Sequence, residues 1–171
     1  LGGFVASTYK RGIDFVNIPT TLLAMVDASV GTKTGVNLGG LKNMVGSFSQ
    51  PQMVLIDTTF LETLPGNQMR SGLAEMFKHG LIADASYWNQ LKNLSELTTE
   101  DLLLLIYHSV SLKNEIVLQD PLEQNVRKLL NFGHTLGHVI ETDSLSNKGI
   151  EPLIHGEAIA SGMVLEAFIS Y

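Results

Sequence analysis

Three of the five histidines of this 171-residue chain fall in two short segments, 131–138 and 155–157. His134 and His138 are four residues apart, so a helix would present both imidazoles on one face. Imidazole is the commonest metal ligand and titrates near neutral pH, so the spacing indicates a metal site or a proton-transfer site. Taken by itself, this spacing is explained equally well by two histidines that have only a structural role. The flanking glycines favour a site, because a helix tolerates glycine mainly where another group approaches closely.

Two further residues could complete such a site, and each has an ordinary alternative. His155 opens a segment with glycine and glutamate behind it, where a capping or exposed histidine is the simpler interpretation. Glu75 lies on an apolar helix, where a buried carboxylate needs a partner. Lys78 could supply an ordinary ion pair, whereas a metal held by one carboxylate and two imidazoles is the more specific hypothesis. A metallopeptidase is disfavoured, because Thr135 replaces the glutamate that follows the first histidine in zincins.

Basic side chains in glycine-rich or apolar surroundings form a third group. Lys33 and Lys42 lie nine residues apart in a glycine-rich stretch, and cations in such loops commonly bind phosphate or carboxylate groups. A solvated surface side chain is the alternative for any one of them. The residues concerned are Arg11, Lys33, Lys42, Lys78, Lys113 and Arg127.

The composition narrows the class of protein. Seventeen acidic against eleven basic residues give a net charge of −6, which argues against a nucleic-acid partner. The chain has no cysteine, so only nitrogen and oxygen ligands could hold a metal. No apolar run reaches the roughly 20 residues that span a bilayer, and no secretory signal is visible. We therefore expect a cytoplasmic protein that binds neither nucleic acid nor membrane.

The elements that would position these groups change in character near Pro65. Before it, buried strands at 15–18 and 53–57 are separated by a short helix, which predicts an α/β region with parallel pairing. Glycine and asparagine breaks within 30–38 predict a hairpin or an irregular loop. After it, apolar residues recur three and four apart, which predicts an all-α region. The predicted helices cover 67–80, 84–93, 98–118, 121–130, 134–143 and 155–171.

Six segments carry motifs that occur in order along the chain, namely 18–24, 26–37, 42–43, 72–75, 131–138 and 155–158. Together they resemble the 3-dehydroquinate synthase family. This resemblance implies a lyase of the shikimate pathway that converts 3-deoxy-D-arabino-heptulosonate 7-phosphate to 3-dehydroquinate and phosphate, using NAD and Zn²⁺ or Co²⁺. It also implies that 1–64 ends a Rossmann-like NAD-binding α/β domain and that 65–171 is a multi-helical metal- and substrate-binding domain.

The resemblance also assigns roles to residues. It implies that Glu75, His134 and His155 are the metal ligands, while His138 is a non-ligand residue involved in proton transfer. Arg11 matches an arginine that reaches a neighbouring subunit's phosphate site, which implies a homodimer. Positions that match NAD contacts are Thr20, Thr21, Lys33, Lys42, Phe60, Leu61, Glu62 and Thr63. Positions that match the pocket for the small-molecule substrate are Asp27, Lys33, Asn43, Lys78, Lys113, Glu123, Arg127 and Asn131.

The sequence departs from the family pattern in three places. Thr32 replaces the usual glycine, and the connection at 144–152 is slightly longer than the family leads us to expect. The glycine-rich NAD loop, normally upstream of Leu1, is not in this sequence. The chain also stops within an apolar helical pattern, so we expect a fragment that alone has little NAD affinity and little turnover.

Three alternatives remain open at the level of sequence. A related sugar-phosphate cyclase would share the motifs. A metal-dependent alcohol or glycerol dehydrogenase of the same fold would release NADH and usually has aspartate in place of Glu75. A non-catalytic helical interaction module would have no need for the complete set of candidate ligands and cations.

Overall fold

The first third of the chain builds two small pairs of strands. The computed structural model describes residues 1–39, 41–93, 99–146, 149 and 151–171. Strands β1 and β4 pair in parallel, with Val16 opposite Met53, which confirms the predicted parallel pairing, although each strand has only two residues. The elements are α1 (Gly2–Thr8), a 3₁₀ turn (Tyr9–Arg11), β1 (Val16–Asn17), a π-helical turn (Ala24–Ala28), β2 (Lys33–Leu38), β3 (Leu41–Phe48), β4 (Met53–Val54) and a second 3₁₀ turn (Thr58–Thr63).

Strands β2 and β3 form an antiparallel hairpin. Lys33 lies opposite Phe48, and the register shifts between Val36 and Leu38. Beside this irregularity Asn43 has a left-handed φ of 52°, and its backbone N–H donates to the side chain of Asn37 at 3.0 Å. The hairpin or irregular loop predicted at 30–38 is instead the first strand of a longer hairpin, whose second strand the sequence pattern did not predict.

The rest of the chain is helical, as predicted. Five of the six predicted helices are found, with ends shifted by a few residues, and the predicted start at residue 98 lies outside the described residues. The helical elements are α2 (Gly66–Ala83), α3 (Ala85–Lys92), α4 (Thr99–Gln119), a third 3₁₀ turn (Val126–Asn131), α5 (His134–Ser146) and α6 (His155–Ser170). None of the helices in the described part of the chain is long and apolar enough to cross a membrane.

The predicted helix at 121–130 is wrong in its first half. Residues 121–125 form turns, and only the second half is helical, as a 3₁₀ turn. The carboxylate of Asp120 accepts hydrogen bonds from the backbone N–H groups of Gln124, Asn125 and Arg127 at 2.6–3.1 Å. Because this carboxylate binds the N–H groups that a helix would use, it holds the chain in a loop instead.

The main core surrounds α2 and fixes its orientation. Met76 of α2 packs with Met25 and Val26 of the π-helical turn and with Leu22, which precedes this turn. All four side chains are fully buried. Helices α3 and α4 close the other side, where the hydroxyl of Tyr87 donates to a carbonyl of α4 at 2.9 Å. Burial of these side chains holds the polar residues of α2 in fixed positions.

Small residues let α6 approach both α2 and α5 closely. The backbone N–H of Gly156 donates to the hydroxyl of Ser71 on α2 at 3.0 Å. A Cβ at Gly162 would lie 2.7 Å from the backbone nitrogen of Gly137 on α5, and a Cβ at Gly137 would lie 2.8 Å from the Ile159 side chain. Contacts at these distances leave no room for a methyl group.

We expect Gly162→Ala to lower the free energy of unfolding by about 1–3 kcal/mol, because the added methyl group forces α5 and α6 apart. This loss should occur although alanine is favoured over glycine within a helix by about 1 kcal/mol. Urea denaturation measures the difference. Gly2→Ala is the matched control, since a Cβ at Gly2 meets nothing within 4 Å; equal stability of the two variants would contradict the prediction.

Candidate active site

Three histidines converge where α5 and α6 begin. His134 is the first residue of α5, His138 follows one turn later, and His155 is the first residue of α6. One ring nitrogen from each lies within 4.8 Å of the other two. The ring centroids are 5.3–5.8 Å apart. The predicted sharing of one helical face by His134 and His138 is found, and α6 adds the third imidazole.

Glu75 approaches this cluster from the buried face of α2. Its Oε1 lies 3.7 Å from Nε2 of His134 and has no hydrogen-bond partner among the described residues, while Oε2 contacts the ammonium of Lys78. Burial, and next the nearby Asp27, raises the pKa of Glu75, although Lys78 opposes this. An unpaired carboxylate oxygen is costly to bury. A divalent cation beside His134 would satisfy it.

The donor chemistry of the cluster fits a divalent metal. Burial lowers the pKa of His134 to about 4, with Lys78 adding to the effect, and burial and Lys42 lower the pKa of His138. At neutral pH these imidazoles are therefore uncharged, which is the form that binds metal. Two donor sets are possible, namely the three imidazoles and the predicted set of Glu75, His134 and His155. The two sets share His134 and His155.

A second carboxylate-rich group is already neutralised by lysines. Ligand atoms of Asp27, Glu75 and His79 also lie within 4.8 Å of one another. Lys113 donates to Oδ1 of Asp27 at 2.7 Å and contacts its backbone carbonyl. Burial opposes ionisation of Asp27, but Lys113 and Lys78 outweigh it and keep its pKa below the ordinary value. Because Lys113 binds both the carboxylate and the backbone carbonyl of Asp27, this group fits a metal ion less well than the histidine cluster does.

A polar cavity of about 230 Å³ adjoins the histidine cluster. Its charged lining has four cations against two carboxylates, which suits an anionic ligand. Asn43 lies outside this cavity and, together with Lys33, lines two neighbouring ones. The structure thus brings together seven of the eight residues predicted for the substrate pocket, together with His134. The seven are Asp27, Lys33, Lys78, Lys113, Glu123, Arg127 and Asn131.

Glu123 organises the outer side of this cavity. Its carboxylate contacts the ammonium of Lys33, lies 3.7 Å from Nε of Arg127, and accepts a hydrogen bond from Asn131 at 2.8 Å. The guanidinium of Arg127, which is buried, also donates to the carbonyl of Pro121 at 2.7 Å. Burial lowers the pKa of Lys33, and the charges of Arg127 and Lys113 add to this. These contacts hold the cations in place while leaving them in contact with the cavity.

The residues predicted to bind NAD lie on several elements of the first third of the chain. Thr21 accepts a hydrogen bond from the N–H of Ala24 at 3.2 Å, and Thr20 is exposed. The side chain of Leu61 belongs to the core, so only its backbone could meet a ligand, whereas Phe60, Glu62 and Thr63 are exposed. Lys33 also lines an open cavity of about 400 Å³ beside Gly2 and Gly3.

Arg11 and Lys42 lie outside the polar cavity. Arg11 is exposed in the first 3₁₀ turn, where its φ of 70° is left-handed. The ammonium of Lys42 instead donates to Glu141 of α5 at 2.7 Å.

Glu141 is a residue of the site that the sequence interpretation missed. It is buried, and its Oε2 lies 3.4 Å from Nδ1 of His155 as well as 2.7 Å from Lys42. The signal was available, because Glu141 follows His134 by seven residues and His138 by three and so shares their helical face. A single glutamate within a helix nevertheless carries no mark that distinguishes it from a surface residue.

Comparison with known proteins yields matches along the whole chain. The family model described as 3-dehydroquinate synthase N-terminal matches residues 1–71, and that described as 3-dehydroquinate synthase C-terminal matches residues 72–171. The 3-dehydroquinate synthase of Parabacteroides distasonis is 49% identical over 100% of this chain and 48% of its own length. That of Prochlorococcus marinus is 52% identical over 96% of this chain and 46% of its own. The chain spans about half the length of these relatives.

Solved structures of related enzymes have the same fold. The 2-epi-5-epi-valiolone synthase of Streptomyces hygroscopicus, with NAD⁺ and Zn²⁺ bound, is 33% identical with a TM-score of 0.78, over 96% of this chain and 46% of its own. A 2-deoxy-scyllo-inosose synthase, in complex with carbaglucose-6-phosphate, NAD⁺ and Co²⁺, is 32% identical with a TM-score of 0.82, over 98% of this chain and 46% of its own.

A buried histidine beside the site should make stability depend on pH. His79 is fully buried, and its Nδ1 lies 2.7 Å from the hydroxyl of Ser109. Burial, with the charge of Lys78, lowers its pKa from 6.5 to about 3. As the pH falls from 6.5 towards 3, the unfolded chain takes up a proton at this residue that the folded chain does not. Unfolding is therefore favoured increasingly over this range.

We expect His79→Gln to flatten this pH dependence. The free energy of unfolding of the wild-type protein should fall more steeply than that of the variant, by about 1.4 kcal/mol per pH unit below 6.5. Urea denaturation at pH 7, 6 and 5 with a metal chelator present measures both slopes. The contribution of His134 is common to both proteins and cancels; parallel slopes would show that His79 takes up a proton in the folded state.

Proposed function

The chain belongs to the 3-dehydroquinate synthase family, and on this premise we propose that it is part of an enzyme that makes 3-dehydroquinate. The substrate would be 3-deoxy-D-arabino-heptulosonate 7-phosphate, and phosphate would be the second product. The observation that carries this proposal is the junction of a cation-lined cavity with a cluster of three imidazoles at His134. A sugar acid phosphate needs both features. Cations bind its carboxylate and phosphate groups, and the imidazole cluster faces the carbon chain that lies between these two groups.

The cavity cations are suited to hold phosphate and carboxylate groups. Lys78 and Lys113 are buried and contact Glu75 and Asp27, so neither ammonium needs to be ordered when an anion arrives. Arg127 is held by a backbone carbonyl and presents a planar guanidinium suited to bidentate binding of such groups. Cations fixed in advance position the substrate and stabilise the charge that develops on phosphate as it leaves.

We propose that Glu75, His134 and His155 hold a divalent metal. The unpaired oxygen of Glu75, 3.7 Å from the imidazole of His134, supports this set over three imidazoles alone. A bound metal would act as a Lewis acid that polarises a substrate hydroxyl. Carboxylate and imidazole donors suit Zn²⁺ and Co²⁺ alike, so both ions are included in the proposal.

His138, which is not a ligand in this set, would then act in proton transfer. It is more exposed than His134 and His155, but the partial burial of its ring, together with the charge of Lys42, lowers its pKa and favours its uncharged form. An uncharged imidazole near the substrate can accept a proton from a substrate oxygen and pass it to solvent.

NAD and a second subunit complete the proposal. Bound NAD would supply reversible hydride transfer, so that no NADH is released over a full turnover. Lys33 and the exposed side chains of Thr20, Phe60, Glu62 and Thr63 are available to meet it, whereas Leu61 could contribute only its backbone. Arg11, which is exposed and lies outside the cavity, would reach the phosphate site of a neighbouring subunit in a homodimer.

A related sugar-phosphate cyclase is the second candidate function. Two such synthases share the fold at 32–33% identity, and one of them was solved with carbaglucose-6-phosphate, NAD⁺ and Co²⁺. The identity of 49–52% to 3-dehydroquinate synthases favours the first candidate.

The complete protein should release phosphate from 3-deoxy-D-arabino-heptulosonate 7-phosphate in the presence of NAD and metal, without net formation of NADH. Phosphate is measured colorimetrically and NADH by absorbance in the same reaction. Glucose 6-phosphate is the control substrate, and turnover of it in preference would indicate the related cyclase. Stoichiometric NADH would indicate a dehydrogenase instead.

Substitutions should separate metal binding from proton transfer. We expect His134→Ala and Glu75→Gln to lose the metal, as measured by elemental analysis after dialysis. His138→Ala should keep the metal and lower kcat by about 100-fold or more, the usual contribution of a general acid or base. If His138→Ala loses the metal as well, the three imidazoles form the donor set and the proposed division of roles is wrong.

A further inference from the structure

We propose that Glu141 positions His155 for metal binding, and that Lys42 of the hairpin acts on the metal site through the same carboxylate oxygen. This inference rests on the proposed function, since it assumes a metal held by His155. It assigns to Glu141 and Lys42 a role that acts through another residue, without contact to substrate.

The first step is the contact between Glu141 and His155. Glu141 is buried on α5, and its Oε2 lies 3.4 Å from Nδ1 of His155. An ionised carboxylate can only accept a hydrogen bond, so Nδ1 of the imidazole must carry the proton. The lone pair of His155 is then on Nε2, the nitrogen that remains for a metal. A carboxylate behind a ligating imidazole fixes its tautomer and ring orientation and raises its basicity.

The second step is the contact between Glu141 and Lys42. The ammonium of Lys42, on β3, donates to the same Oε2 at 2.7 Å. One oxygen of the carboxylate is therefore shared between Lys42 of the hairpin and the imidazole of His155. Lys42 lies 99 residues from Glu141 in the sequence, and His155 lies 14 residues from it. Lys42 fixes the rotamer of Glu141, and Glu141 in turn fixes the ring of His155.

The third step distinguishes this arrangement from an ordinary surface ion pair. An exposed pair of this kind contributes only about 0–1 kcal/mol to stability and would have no bearing on metal affinity. The side chain of Lys42 is half exposed, but that of Glu141 is only 11% exposed and faces the ring of His155. A buried carboxylate between two hydrogen-bond donors has the geometry needed to hold a metal-binding imidazole in place.

The test measures Zn²⁺ affinity in the complete protein by competition with a chromogenic chelator. We expect Glu141→Met to weaken Zn²⁺ binding by about 10–100-fold, the usual effect of losing such a partner. Glu141→Gln should lose less, because its amide oxygen still accepts a hydrogen bond from Nδ1. Asp143→Asn is the matched control, since it removes one negative charge from an exposed position of the same helix. It should bind Zn²⁺ with an affinity close to that of the wild-type protein.

The visible spectrum of the Co²⁺-substituted protein supplies a readout that a purely structural role would not change. Glu141→Met should shift the Co²⁺ absorption bands, because the imidazole of His155 is no longer held, while Asp143→Asn should leave them unchanged. If Glu141→Met and Glu141→Gln keep wild-type affinity and spectrum, the assignment is overturned and Glu141 is only a partner of Lys42.

A double-mutant cycle tests the contribution of the hairpin. Lys42→Met alone should weaken Zn²⁺ binding several-fold, and it should have no further effect when Glu141 is already methionine. Equal effects in both backgrounds would overturn the role of Lys42. Failure of the proposed function would give a different result. The wild-type protein would bind no Zn²⁺, or its affinity for Zn²⁺ would be unchanged by both His134→Ala and His155→Ala. Either result shows that there is no such metal site and overturns the assignment of Glu141 as well.

Discussion

The ion pair between Glu75 and Lys78 is the interaction on which the site depends. Both side chains are removed from solvent on α2, and each charge would be costly to bury without the other. The pair nevertheless serves two neighbouring regions, since Glu75 faces the imidazole of His134 and Lys78 lines the polar cavity. One turn of helix thus joins the histidine cluster to the cation-lined cavity, and any shift of α2 would move both.

The remainder of the fold holds that turn of α2 in place. Met76, between the two charged residues, is fully buried in the main core. On the other side, a hydrogen bond from Gly156 to Ser71 ties the first turn of α6 to α2, and this turn carries His155. The same helix clamps the start of α5, because the carboxylate of Glu166 accepts hydrogen bonds from the backbone N–H groups of residues 133 and 136. Hydrogen bonds from backbone N–H groups to these side chains therefore set the distances within the histidine cluster.

Local patterns were sufficient to predict most elements, but not the contacts between them. The spacing of His134 and His138 predicted their shared face because helical periodicity is a local property. The loop at 121–125 could not be predicted, since it depends on the carboxylate of Asp120 accepting three backbone N–H groups. Strand β3 has no alternation to detect because nearly all of its side chains are exposed.

Residues far apart in sequence required the motifs or the structure itself. Lys113 and Asp27 are 86 residues apart, and nothing in their local sequence indicates that they pair. The ordered motifs placed both in one pocket, where the structure finds them. Glu141 and Leu61 show the limits of this approach: the motifs gave no role to a buried carboxylate in contact with His155, and they included a side chain that the core has already buried.

The positive charge of the cavity explains why carboxylates lie among its cations. Four cations that line a cavity of about 230 Å³ repel one another. Burial lowers the pKa of Lys33, and repulsion by the charges of Arg127 and Lys113 adds to this. Asp27 and Glu123 offset part of that charge and fix the geometry of the cations. Glu123 pairs with Lys33, whose side chain is half exposed, whereas Asp27 pairs with the buried Lys113. In the proposed function, an arriving phosphate or carboxylate would most easily replace Glu123 at Lys33. Binding would then exchange one outer ion pair and leave the side of the cavity next to His134 unchanged.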